Sequence, residues 1–63
     1  MITNTKEATD FLKKSRPQVP EREIKFVREG QGRLEPNIIL KRWDFIVQGM
    51  KVFVYENEKI LTW

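Results

Sequence analysis

Along the 63-residue chain, apolar and polar positions change period once. In residues 4–15, Ala8, Phe11, Leu12 and Ser15 recur at helical spacing and form one narrow face. Asn4 followed by Glu7 has the spacing of a capping box, with Thr3 and Thr5 as alternative caps. Lys13, Lys14 and Arg16 crowd the far end, where positive charge complements the helix dipole, and Pro17 stops the helix. These features predict a helix over about 4–15, followed by an extended connector at 16–20, "RPQVP".

Beyond the connector the period falls to two. Residues 22–28 predict a first strand, with Ile24 and Phe26 on one face and Lys25 and Val27 on the other. "GQGRLEPN" reads as a loop, on its glycines and Pro36. Residues 38–47, "IILKRWDFIV", are β-branched and aromatic enough to prefer a strand over a helix. On that strand Ile39, Lys41, Trp43, Phe45 and Val47 share one face, which is the expected core. Ile38, Leu40, Arg42, Asp44 and Ile46 share the other, where Arg42 and Asp44 are expected as a solvated pair. Gln48-Gly49 reads as a hairpin turn into a strand at 51–56, and "ENEK" as a turn into a last strand at 60–63.

The expected architecture is a single α+β domain spanning 1–63, an N-terminal helix packed on a three- to four-stranded antiparallel sheet. The same order of elements occurs in small closed barrels of SH3-like or Sm-like type. Apolar residues occupy both faces of the central strand, and one helix covers one face. The surplus must be wet, closed into a barrel, or buried by another chain, so a homodimer is expected.

Composition narrows the chemistry. The chain has no cysteine and no histidine, which excludes disulfides, thiolate nucleophiles and the commonest metal ligand and general base. Ser15 is the only serine and has no histidine to activate it. Gly30 and Gly32 lack the further residues of a phosphate-gripping loop. Neither the pair Glu21 and Glu23 nor the pair Glu56 and Glu58 offers enough oxygens for a hard cation. The expectation is a protein without enzymatic activity, cofactor or metal. "MITNTKEATD" has no apolar signal-peptide core, and no apolar run is long enough for a membrane span, so a cytoplasmic location is expected.

The net charge is +3 and the isoelectric point about 9.5. Residues 1–33 carry eight Lys and Arg against five Asp and Glu, whereas 34–63 carry four of each. That excess makes Lys13, Lys14, Arg16, Lys25 and Arg28 the candidate nucleic-acid contacts, through weak and non-specific binding to phosphates. Lys41, Arg42, Trp43, Phe45, Lys51, Phe53 and Tyr55 form a basic and aromatic set on two paired strands, but strand alternation divides it between two faces. Two roles follow. One is a small nucleic-acid-associated accessory or regulatory protein, of the kind bacteria and their phages encode. The other is a protein–protein module or inhibitor that docks by its sheet face or edge.

Overall fold

The computed structural model describes residues 1–63, apart from the side chains of Leu34 and Glu35. Among the described residues the chain forms helix α1 (Thr5–Ser15), a 3-10 turn (Glu21–Glu23) and four strands, β1 (Ile24–Glu35), β2 (Ile38–Val47), β3 (Met50–Tyr55) and β4 (Ile60–Thr62). The strands pair antiparallel in the order β1-β2-β3-β4. β1 and β4 do not meet, so the sheet is open and not a barrel.

Local chemistry sets the boundaries. Asn4 caps α1 by accepting the Glu7 N–H at 2.8 Å. Glu7 reaches back to the Thr3 N–H and hydroxyl, both at 2.8 Å, rather than to Asn4. These bonds hold the Glu7 carboxyl below its usual range. Gln48 and Gly49 have φ of 52° and 82°, the two left-handed central residues of a type I′ turn. Glu58, at φ 68°, closes the β3–β4 turn, where a side chain is disfavoured.

α1 covers one face of the sheet. Ala8 and Leu12 are buried with Trp43, Phe45, Val47, Val52 and Val54, and Phe11, Val19, Ile24 and Ile60 pack against them. Ile2 joins this core, and its N–H bonds the Glu56 carbonyl at 3.0 Å. Ser15 stays exposed, its hydroxyl bonding back to the Phe11 carbonyl. On the predicted helix face Leu12 is thus buried more deeply than Phe11.

β1 departs from the expected strand at 22–28. Residues 21–23 form the 3-10 turn, and the strand runs on through the segment read as a loop to Glu35. Both glycines lie within the strand, not in a turn, and Gly32 serves a lateral approach. Gly30 lies opposite Arg42, and a Cβ on Gly32 would stand 2.8 Å from Tyr55 Cε2 and 3.0 Å from Arg42 Cδ. The missing side chain of Gly32 is what lets Tyr55 and Arg42 lie across β1 there.

A register shift between Phe26 and Arg28 has a second consequence. Strict alternation would put Arg28 on the core side with Ile24 and Phe26. The extra residue, Val27, turns Arg28 to the opposite face, where it pairs with Asp44. Beyond Lys41, β2 has no partner in β3 and continues with β1 as a two-stranded ribbon. Ile39 therefore lies past the helix cover and is 59% exposed, not part of the core.

Candidate functional site: the open face of the sheet

The face turned away from α1 is built from three transverse rows. The first runs Lys25, Ile46, Lys51; the second Arg28, Asp44, Phe53, Leu61; the third Gly30, Arg42, Tyr55. Trp63 follows β4 on this side. Its N–H bonds the Lys51 carbonyl at 2.8 Å, and its ring lies 6.2 Å from that of Phe53 at 58°. Trp63 is 69% exposed, whereas Trp43, on the core side, is fully buried. A cleft of about 340 Å³ opens among Val27, Arg28, Ile46, Lys51 and Phe53, with Asp44 also lining it.

Asp44 corrects the expectation of a solvated Arg42–Asp44 pair. It is 6% exposed, on a face that no other element covers among the described residues. Arg28 Nε donates to Asp44 Oδ2 at 3.0 Å, and Arg42 Nη2 to the same oxygen at 3.1 Å. Arg42 Nε stands 2.7 Å from Asp44 Oδ1, but its N–H is not aimed at that oxygen, so this contact is ionic rather than a hydrogen bond. The guanidinium of Arg42 also lies 4.1 Å over the Phe53 ring, a cation–π contact. Two arginines and the Phe53 ring thus roof the carboxylate. Burial pulls the Arg42 pKa down, but hydrogen bonding to Asp44 and Tyr55 outweighs it, so the pKa is raised and the charge is permanent. The Arg42 side chain is only 17% exposed, while that of Arg28 is 68% exposed. Arg28 is therefore the solvent-facing member of the pair and Arg42 the covered one.

The charge balance of this face differs from the rest of the chain. Among the described side chains of the three rows, Lys25, Arg28, Arg42 and Lys51 face a single carboxylate, Asp44. Elsewhere the cations and carboxylates of the sequence are equal in number, so the excess of +3 is the excess of these rows. The division by chain half, which pointed to residues 1–33, gives way to a division by sheet face.

The five candidate contacts do not form one surface. Lys25 and Arg28 belong to the open face. Lys13 and Lys14 lie on α1, which covers the other face; Lys13 is held by Glu21 at 2.8 Å. Arg16, at the C-cap of α1, donates to the Thr62 hydroxyl at 2.8 Å and is half-buried. Lys51, Phe53 and Trp63 complete the open face. The first two were visible in the basic and aromatic set, on the parity of β3. Trp63 gave no signal, because its side depends on the pairing of β4.

Among the described residues no group of three or more carboxylates is placed to hold a metal ion, and no helix is long and apolar enough to cross a membrane. Comparisons of the chain with protein-family models, curated proteins and solved structures find no match.

Proposed function

We propose that the chain is a non-enzymatic nucleic-acid-binding protein, and that its contact surface is the open face of the sheet. The observation that carries this reading is the coincidence of charge and aromatic exposure. The rows that hold the excess positive charge also hold Phe53, and the exposed Trp63 lies beside it on the same face. Phosphates need only cations within reach, and Lys25, Arg28 and Lys51 supply three with no free carboxylate among them. Nucleobases need flat rings, which Phe53 and Trp63 supply.

The test is fluorescence anisotropy with a labelled oligonucleotide at several salt concentrations. With three phosphates neutralised, log affinity falls against log salt with a slope of about −2 for a single strand and about −3 for a duplex. Charge reversal at Lys25 and Lys51 weakens binding. The same reversal at Lys13 and Lys14 serves as the other arm: a larger loss there moves the contact surface to α1 and overturns this reading.

A second reading, docking on a protein or on a second copy of the chain, draws on the free edge of β1. That strand runs twelve residues with no neighbour on its outer side among the described residues. Sheet extension there is limited to the stretch between its two register shifts, Phe26/Arg28 and Arg33/Glu35. Sedimentation separates the readings: an edge-paired homodimer forms without nucleic acid and is insensitive to Lys51→Glu.

A further inference from the structure

The geometry points to a single strand of nucleic acid, not a duplex, as the ligand of this face, lying across the strands from β4 to β1 with its bases stacked on Trp63 and on the Arg42–Phe53 pair. The inference rests on the proposed function and narrows it.

The order of groups along the path carries it. Trp63 stands at the β4 side, Phe53 with Arg42 over it on β3 and β2, and Arg28 and Lys25 on β1. Phe53 presents one ring face to the Arg42 guanidinium, so the platform available beside Trp63 is the stacked pair, not the bare ring. A guanidinium plane stacks on a base as an aromatic ring does. Arg42 is fixed in that plane by Asp44, through Nη2 and Nε, so no side-chain ordering is needed on binding. Asp44 is thereby a positioning residue. It neutralises part of the charge of Arg42 and holds its guanidinium over the Phe53 ring.

Size agrees with a short single strand. β4 to β1 is three interstrand steps, about 14 Å. At about 3.4 Å per nucleotide even a fully stacked strand places about four nucleotides on that path. Lys51 and Arg28 flank it and reach its phosphates. A duplex keeps its base faces internal. It would meet the rings only through its backbone, leaving Trp63 without a stacking role. Nothing in these contacts depends on the sugar, so single-stranded DNA and RNA share the chemistry.

The experiment compares wild type and Trp63→Ala, each with a labelled oligo-dT, an oligo-U and a duplex of matched length, by anisotropy at low salt. Circular dichroism verifies that the variant stays folded; Trp63 is exposed and outside the core. The expected result is tighter binding of both single strands than of the duplex. Trp63→Ala should lose roughly 5- to 150-fold of single-strand affinity, the usual range for one stacked base, with little change for the duplex. Affinity should also stop rising beyond about four to six nucleotides. Equal binding of single strand and duplex, unaffected by Trp63→Ala but weakened by Lys51→Glu, overturns the stacking inference and leaves the open face as a nucleic-acid surface. No binding of any of the three at low salt overturns both.

Discussion

Gly30 and Gly32 sit two residues apart on one strand and one face, yet alanine at these positions should have opposite effects. A Cβ at Gly30 meets nothing within 4 Å. Gly30→Ala then changes only the conformational freedom of the unfolded chain and the fit to a strand, a gain of about 0.5–1 kcal/mol. A Cβ at Gly32 would lie 2.8 Å from Tyr55 Cε2, 3.0 Å from its hydroxyl and 3.0 Å from Arg42 Cδ. Neither neighbour yields readily, since Tyr55 is 3% exposed and Arg42 is tied to Asp44 and Phe53. Forcing them apart costs about 1–3 kcal/mol, as overpacking does elsewhere. The same backbone gain offsets part of it, leaving Gly32→Ala destabilised by up to about 2 kcal/mol. A chain this size has roughly 3–9 kcal/mol in total. Urea unfolding followed by tryptophan fluorescence resolves the difference. With a slope near 1 kcal/mol/M for a small protein, the two midpoints separate by roughly 1–3 M, with wild type between them. Midpoints that move together, in either direction, would refute the claim that Gly32 is present to admit Tyr55 and Arg42.

Leu12→Ala should cost about 2–5 kcal/mol, and Phe11→Ala less than the 3–5 expected of a fully buried ring, because Leu12 is fully buried and Phe11 only partly; chemical denaturation of both variants checks the order. Glu58→Gly should stabilise by about 1 kcal/mol, because it removes a side chain from φ 68°, and a thermal melt at lower temperature than wild type would contradict that. Asp44→Ala should destabilise by about 1–3 kcal/mol and also weaken single-strand binding by freeing the Arg42 plane, whereas an inert carboxylate would leave both the urea midpoint and the anisotropy unchanged. The Glu7 carboxyl is lowered in the fold, so its contribution is present at neutral pH and is lost as pH falls through its folded value; Thr3→Ala should return its NMR titration toward the usual carboxylate range.

Helix and hairpin were legible in the sequence because their signals are local. Asn4, the spacing of Ala8, Phe11 and Leu12, and the Gln48-Gly49 pair each act within a few residues. The core side of β2 was legible for the same reason, since alternation from Trp43 to Val47 involves no other strand. The open face was not, because it is a property of pairing. Arg28 joins it only through the bulge at Val27, and alternation alone places Arg28 with Phe26. Gly32, like Gly30, looked like a turn residue because nothing nearby in sequence needs the space that Tyr55, more than twenty positions on, occupies beside Gly32. The burial of Asp44 depends likewise on two arginines and a phenylalanine from three strands. Charge counted along the chain pointed to residues 1–33; counted by sheet face it points to Lys25, Arg28, Arg42 and Lys51.

The two tryptophans lie on opposite sides of the sheet and give the most direct test of the open-face reading. Trp43 is buried under α1, and Trp63 stands exposed beside Phe53. Each indole N–H gives its own signal in a proton–nitrogen correlation spectrum. Titration with a short unlabelled oligo-dT should move the Trp63 indole signal, together with the side-chain signals of Arg28 and Arg42, and leave that of Trp43 in place. Shifts confined to the amides of α1, with the Trp63 indole unmoved at saturation, would contradict the account.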